Sequence, residues 1–491
     1  MAKRIPPPQT SDRRNLPPEP GPGEDAHDPA APPGGKVLKL GGVFVRTLRH
    51  FFPELNAWLD EVPDTRFQPF VEYPRRFLLW LALLVFTLRL GSRRQIDFDL
   101  RDLELCLLAN LNRLAATDQQ TLPVTNTVDH FLEHCQGPEP LAALRQRCAR
   151  RLIRMRALDP FRLLGHLVVA VDGTGMLTFH QRHCAHCLTQ KHSDTVVYFH
   201  PVLEAKLVTA AGLAISLESE FIENTPQDRA ETHYEQRKQD CELKAFARLA
   251  ERFAAAFPQL QIIWSADSLY ACGPFFARCR RAGWSFVVTF KEGRLPELWW
   301  EFQALLPLHP HQRLREELPD HTVRRYRWVE QLSYIDSEQR AHTLNALLCE
   351  ETAPTGQVTT FAWLTDLPLT RQTVVAVAGQ GGRIRSTIEN EGFNVQKNSG
   401  LNLEHAYSRD WNKAKAYYFL LQLGHLCFQL LEKGSLLRAL AAEYGKASVA
   451  QLWGGQEKLA QRLLDALRYY LLPADPADAA SCRVSFVSDT S

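Results

Sequence analysis

The sequence predicts an α/β protein in which a mixed β-sheet is flanked by helices. An apolar run at residues 167–171 ends on Asp172 and has the length of a buried central strand. Two strand-like runs follow at residues 196–210 and 213–223, with a short hairpin connection between them, and the second alternates like a half-exposed strand. Helical and strand-like segments then alternate, which is typical of helices packed on a sheet.

Composition restricts the class of protein without identifying it. The 491 residues are 45% hydrophobic and 23% charged, enough to bury large cores. The net charge of +2 means that any contact with nucleic acid must use local basic surfaces. The 11 cysteines are scattered and no apolar signal core opens the sequence, so we expect a reducing, cytoplasmic setting without a disulfide framework.

The first third of the chain divides into a tail and a helical region. Residues 1–35 are rich in Pro and Gly, a composition that predicts disorder. Residues 36–160 have apolar spacings of three and four, which predict a helical subdomain, and the arginines of its last helix make it a candidate to bind DNA. Its most apolar stretch, residues 77–90, is too short to span a bilayer and is predicted to be a buried helix.

The last helix of this region, residues 141–156, is rich in arginine. Such a helix can bind the phosphate backbone of a nucleic acid. The same pattern is equally typical of a solvated helix face. The predicted contacts are Arg150, Arg151 and Arg154, beside Arg145, Arg147 and Arg156.

A second apolar run ends on Asp267 and follows a predicted long helix at residues 228–257. A crossover helix can place this fourth strand beside the first, which would bring Asp172 and Asp267 together. Neighbouring carboxylates repel unless they share a proton or bind a divalent cation, and Mg²⁺ prefers oxygen ligands. The pair therefore suggests a metal site that handles phosphate. The simpler interpretation is two unrelated strand-end aspartates, the first of which opens a turn with Gly173.

A third segment of interest is GGRIRSTIENEGFNVQKN, residues 381–398. If residues 383–395 are helical, Arg385 and Glu389 lie at i and i+4 on one face, whereas Glu391 projects about 200° away. Arg385 can then contact a phosphate beside the metal. An exposed ion pair of ordinary stability value is the alternative.

The remaining segments complete the predicted domain organisation. Aromatic and β-branched runs between Asp267 and Glu389 predict an inserted antiparallel β subdomain. The predicted divisions are a tail (1–35), a helical N-terminal subdomain (36–160), the first part of the catalytic core (161–305), the β insertion (306–380), the helical remainder of the core with a helix from residue 402 (381–472), and a flexible tail (473–491).

One cluster, HQRHCAHC, has the residue types of a metal site. Cys184 and Cys187 have the spacing of half a zinc site, which nearby histidines can complete. The candidate histidines are His180, His183, His192 and His200. The alternative is a set of exposed residues in the hairpin after the first strand. If zinc binds, we expect a structural or DNA-contacting role.

Four motifs, in this order along the chain, resemble those of the DDE transposases of bacterial insertion sequences. They are VDGTG, SAD, R-x-R-x-x-x-IENEGFNVQKN and NLEH. The similarity extends over about residues 93–430, and it implies a ribonuclease-H-like core with a β-rich insertion before the final glutamate. It further implies that Asp172, Asp267 and Glu389 hold two Mg²⁺ or Mn²⁺ ions. Related elements carry a Tyr, Arg, Glu, Lys signature. Here Arg385 and Glu389 match it, Gly382 and Gln396 stand at the other two positions, and Lys397 follows one residue late.

The resemblance implies a DNA-associated enzyme that cuts at the terminal inverted repeats of an element and joins them to target DNA. Pairing two ends implies at least a homodimer, and no membrane partner is expected. Lys397 joins Arg385 as an expected DNA contact. Two rival interpretations stay open: a metal-dependent nuclease of the same fold, and a DNA-binding protein that has lost catalysis.

Overall fold

The computed structural model describes residues 35–92, 104–192, 195–224, 240–472 and 483–486. Nearly all of both predicted tails, and residues 228–239 of the predicted long helix, lie outside these ranges. The described part of the predicted C-terminal tail, residues 483–486, is packed and not loose, which corrects the prediction for those residues. Phe486 bridges to Gly434 in the backbone and stacks on Phe51 with ring centroids 5.4 Å apart.

Among the described residues, ten strands form one mixed sheet in the order β2-β3-β1-β5-β6-β10-β9-β8-β7, with β4 paired to β3. The strands are β1 (Leu167–Phe179), β2 (Leu188–His192), β3 (Thr195–Val208), β4 (Ala214–Phe221), β5 (Ile262–Ala266), β6 (Ser285–Thr289), β7 (Arg313–Glu317), β8 (Val323–Ile335), β9 (Ala341–Thr352) and β10 (Val358–Thr365). The predicted mixed sheet is therefore present.

The helices pack on both sides of this sheet and beyond its end. They are α1 (Gly35–Phe51), α2 (Leu55–Asp60), α3 (Arg75–Thr87), α4 (Glu104–Ala115), α5 (Thr125–Glu133), α6 (Glu139–Arg154), α7 (Glu242–Ala256), α8 (Gly273–Ala282), α9 (Pro296–Leu305), α10 (Trp411–Lys433), α11 (Ser435–Glu443), α12 (Val449–Trp453) and α13 (Gln456–Tyr469). Short 3₁₀ turns occur at Gln68–Phe70, Asp159–Phe161, Ser268–Tyr270 and Leu306–Leu308.

The centre of the sheet confirms the predicted crossover. β1 and β5 run parallel, with Leu167 opposite Ile262, and β5 is parallel to β6. The prediction that the first strand ends at Asp172 is wrong, because β1 continues to Phe179 along its antiparallel partner β3. The alternative of a turn at Asp172 is wrong for the same reason.

β4 is buried along nearly its whole length, so the prediction of a half-exposed strand is wrong. Helices α6, α7 and α10 all pack against it. Its polar residues, among them Glu218 and Ser219, are accommodated by charged partners from those helices, chiefly Arg145 and Arg252.

The predicted insertion forms antiparallel strands, as expected. They are not a separate sheet, because β10 pairs directly with β6 and the four strands β7–β10 extend the same sheet. The polar and basic residues of β7–β10 therefore lie at one end of the same ten-stranded sheet.

The region before β1 is helical, as predicted. Helix α3 is buried along almost its entire length, and it packs on α10. Among the described residues, no helix is both long enough and apolar enough to cross a bilayer. The predicted helix from residue 402 begins at Trp411 instead, because Asp410 accepts a bond of 2.8 Å from the Lys413 backbone N–H and caps α10 there.

Candidate active site

Asp172 and Asp267 occupy equivalent positions on two adjacent parallel strands. The ladder between β1 and β5 ends at Ala170 opposite Ser265, and each aspartate follows two residues later. Because side chains two residues apart in extended chain share a face, the two carboxylates lie on the same side of the sheet. Asp267 also opens a 3₁₀ turn, where its Oδ1 accepts a 2.9 Å bond from the Leu269 backbone N–H.

Glu389 lies on a helix of mixed geometry at residues 374–398, hereafter the mixed helix. It contains two π-helical segments, Val377–Gly382 and Ile388–Asn394, on either side of a 3₁₀ turn at Arg383–Arg385. The sequence-based interpretation assumed regular helical spacing over residues 383–395. π-helical insertions are frequent at functional sites.

Arg385 links the strand acid to the helix acid. Its Nη1 lies 3.1 Å from Asp172 Oδ2 and its Nη2 lies 2.7 Å from Glu389 Oε1. The ion pair between Arg385 and Glu389 is the predicted i,i+4 pair, but it is not isolated on the surface, because Asp172 shares the same guanidinium. The structure thus joins three residues that sequence reasoning placed at one site.

Glu391 faces away from this group, as the helix register predicts. Its Oε2 lies 3.7 Å from Lys433 Nζ at the end of α10. Glu389 is therefore the glutamate of the mixed helix that is directed at Asp172, and Glu391 serves as a natural control for it.

The surroundings of Asp172 disfavour its negative charge. Burial raises the pKa of Asp172 to about 7, and the carboxylates of Glu242 and Glu389 add to this effect, against the opposing charge of Arg385. A partly buried carboxylate with acidic neighbours is a group whose ionised form a cation would stabilise.

The raised pKa predicts how the metal-free chain responds to pH. The folded state holds the Asp172 proton up to about pH 7, whereas the unfolded state releases it near pH 4. Stability contributed by this group is thus present at low pH and is lost as pH rises from about 4 through 7. Between pH 5 and pH 8 the Asp172→Asn variant should gain about 2 kcal/mol relative to the native chain, measured by urea unfolding without divalent cations. Parallel stability curves for the two chains would contradict the raised pKa.

Glu242 is an acidic residue at this site that the sequence did not indicate. It begins α7, and its Oε2 lies 3.0 Å from where a Cβ on Gly173 would be, next to Asp172. The Tyr270 hydroxyl donates a 2.8 Å bond to Glu242 Oε1. Burial raises the pKa of Tyr270 well above its ordinary value, and the charges of Glu242, Asp267 and Asp172 add to the shift. Four carboxylates thus surround one end of the parallel strands.

The arginines of α6 have different surroundings, although they are close in sequence. Arg145 is buried against Glu218 and Ser219 of β4, so its assignment to a solvated or DNA-facing surface is wrong. Arg150 donates a 3.1 Å bond to the Ala256 carbonyl, and Arg151 is partly buried. Arg154 is exposed at the end of the helix.

Lys397 Nζ lies 2.8 Å from Glu404 Oε1, so its ion pair is with that residue and not with Asp172 or Glu389. The preceding residue, Gln396, is fully buried and donates to Gln422 and His425 of α10. The signature position held by Gln396 is therefore part of the packing between the mixed helix and α10.

Gly382, which stands at the tyrosine position of the signature, lies against the indole of Trp363 from β10. An added Cβ would overlap that ring, so a larger residue cannot occupy the position without a shift of the helix.

Replacing Gly382 with alanine should therefore destabilise the chain by about 1–3 kcal/mol through overpacking. Gly379 is a matched control on the same helix, because an added Cβ there meets nothing within 4 Å. Gly379→Ala should be neutral or stabilising by up to about 1 kcal/mol, since alanine favours a helix. Denaturant midpoints of both variants check this, and equal effects would show that contact with Trp363 does not constrain position 382.

Cys184 and Cys187 come together with His200 of β3, and a ring nitrogen of His183 is near Cys184 and His200. Burial lowers the pKa of His200 to about 4, and the neighbouring His183 contributes. His180, another candidate, is exposed. Cys184 and Cys187 lie in the connection between β1 and β2, two strands that do not pair with each other, and Cys187 is buried. The alternative of exposed residues in a hairpin after the first strand is therefore wrong for Cys187.

The chain matches no protein-family model, and no curated protein matches it. Its function is therefore inferred from the geometry of these residues.

Proposed function

We propose that the chain is a DDE-type DNA transposase with a ribonuclease-H-like core. The observation that carries this proposal is the group formed by Asp172, Arg385 and Glu389, with Asp267 at the equivalent position on the adjacent strand. Support for the core comes from the order β4-β3-β1-β5-β6, three antiparallel strands followed by two parallel ones. Strands β7–β10 stand between Asp267 and Glu389, where the resemblance expects an insertion.

The residues at this site suit hard divalent cations. Asp172, Asp267, Glu242 and Glu389 supply carboxylate oxygens, whereas Arg385 is the cation that contacts two of them. This excess of negative charge, together with the raised pKa of Asp172, fits Mg²⁺ or Mn²⁺. Two such ions, if bound, would supply activation of a water and stabilisation of the leaving 3′ oxygen of the cleaved strand.

Asp172, Asp267 and Glu389 would hold the ions. Glu242, which the hydrogen bond from the Tyr270 hydroxyl holds in position, would add negative charge beside them. Arg385 would exchange its carboxylate partners for a phosphate of the DNA, because guanidinium binds either group with two parallel bonds. The same site would then use the freed 3′-OH end to attack target DNA.

DNA binding is proposed for the surface that includes the end of α6. Arg154 is exposed there and Arg151 is its partly buried neighbour, whereas Arg150 already donates a hydrogen bond to the Ala256 carbonyl. Lys397 is a further proposed contact that would have to leave Glu404. Pairing of two terminal inverted repeats would require at least two copies of the chain.

The test is Mg²⁺-dependent cleavage of DNA that carries the sequences flanking the chain's own reading frame. The native chain should cut at the ends of terminal inverted repeats and leave unrelated DNA of the same length intact. Binding of this DNA without any cleavage, in Mg²⁺ or in Mn²⁺, would contradict the proposed enzyme activity. It would support the alternative of a non-catalytic DNA-binding protein.

A further inference from the structure

The loop between β1 and β2 brings two cysteines against a histidine of β3. Cys184 Sγ lies 3.9 Å from Cys187 Sγ, and His200 Nε2 lies 3.4 Å from the first sulfur and 3.2 Å from the second. In tetrahedral zinc with Zn–S of about 2.3 Å and Zn–N of about 2.1 Å, ligand atoms are separated by roughly 3.4–3.8 Å. The three atoms therefore have nearly the spacing of three corners of a zinc tetrahedron.

A fourth ligand is within reach in the same loop. His183 offers a ring nitrogen within 4.8 Å of the ligand atoms of Cys184 and His200. Its Nδ1 is buried and has no hydrogen-bond partner among the described residues. The His183 ring stacks on Phe179 with centroids 4.4 Å apart, which holds it beside the cluster.

Backbone N–H groups donate to both sulfurs and offset part of the effect of burial, which raises the pKa of Cys184. The Cys184 N–H donates to Cys187 Sγ and the His186 N–H donates to Cys184 Sγ, both at 3.4 Å. Hydrogen bonds to the charged form of a group stabilise that form. Thiolates and imidazoles together select zinc over Mg²⁺ or Ca²⁺, which prefer oxygen.

We propose that Cys184, Cys187, His200 and His183 form a structural zinc site, distinct from the carboxylate site of Asp172. Binding replaces the two thiol protons with bonds to the metal and releases those protons to solvent. All four positions are protein side chains, so the site is closed and leaves no corner for a substrate.

The position of the site explains what the zinc would stabilise. Cys187 immediately precedes β2, and His200 lies on β3, so the metal ties the base of the β2–β3 hairpin. The His200 ring also stacks on Trp411 at the start of α10, with centroids 3.9 Å apart. Zinc would thus fix the hairpin to α10.

The experiment is zinc analysis of the full-length native chain, produced with added zinc and purified with a reductant and without chelators. We expect about one zinc per chain, and replacement by Co²⁺ should give the visible absorption of a tetrahedral thiolate site. Cys184→Ser and His200→Gln should each lower zinc affinity by more than about 100-fold. This loss is larger than that expected when a residue that only hydrogen-bonds to a metal ligand is removed. His180→Ala, from the same loop, and Cys106→Ser, from α4, are the controls and should keep the metal.

A second measurement keeps the test decisive if a ligand variant fails to fold. Alkylation of the native chain, mapped by peptide mass spectrometry, should show Cys184 and Cys187 protected by zinc and modified after chelation. Cys106 should react equally in both states. Zinc-free folded chain that binds no added zinc, or a disulfide between Cys184 and Cys187 in the reduced preparation, would overturn the proposal.

Discussion

Asp172→Asn, Asp267→Asn and Glu389→Gln are each expected to lower Mg²⁺-dependent DNA cleavage by at least about 10³-fold, which corresponds to about 4 kcal/mol of transition-state stabilisation. The substitutions keep the size of the side chains and remove the charge that a metal ion requires. Cleavage of end-carrying DNA under single-turnover conditions measures the loss. DNA binding, followed separately, should be retained.

Glu391→Gln is the matched control, because it changes the same chemical group on the same helix. Glu391 is directed towards Lys433 and not towards Asp172, so this variant should cut at close to the native rate. An inactive Glu391→Gln beside an active Glu389→Gln would show that the wrong glutamate has been assigned to the metal.

Arg145→Ala is expected to destabilise the chain by about 3–5 kcal/mol, because it removes one of the positive charges that compensate two buried carboxylates. The Arg145 side chain is 1% exposed and reaches Glu218 at 3.4 Å and Glu204 at 3.9 Å. Lys206 lies 3.1 Å from Glu204, and the Tyr418 hydroxyl donates to the same carboxylate at 2.7 Å. This buried charge network connects α6 and α10 to the strands β3 and β4.

Arg154→Ala is the control for this prediction, since Arg154 is an exposed arginine of the same helix. It should change the free energy of unfolding by no more than about 0.5 kcal/mol. Urea unfolding of both variants, in the absence of DNA, makes the comparison. Equal effects would mean that the buried charges rearrange when Arg145 is lost.

Combining Arg145→Met with Glu218→Gln should recover part of the stability, because it removes one of the uncompensated charges.

The central strands and their acids could be predicted because the signal is local. Each apolar run is continuous and ends on an aspartate, and one crossover helix suffices to place β5 beside β1. The extent of β1 beyond Asp172 was missed because it depends on pairing with β3, a partner distant in the sequence.

The buried charges could not be predicted for a related reason. Glu218 and Ser219 give β4 the pattern of an exposed face, and Arg145 gives α6 the pattern of a basic surface. Each pattern is polar by itself, and only the tertiary fold brings the two together. Glu242 was missed because an acid in the first turn of a helix is ordinary in a sequence, and its contact with Tyr270 is not visible there.

Strand transfer from pre-cut ends tests the proposed function most directly. Short duplexes that carry the terminal repeat and expose a 3′-OH are incubated with the native chain, Mg²⁺ and a circular target. The proposed mechanism predicts covalent joining of the duplex to the target, which a 3′-dideoxy end or Asp267→Asn abolishes. Cleavage of the uncut repeat without any joining of the 3′-OH end would contradict it and would identify the chain as a nuclease.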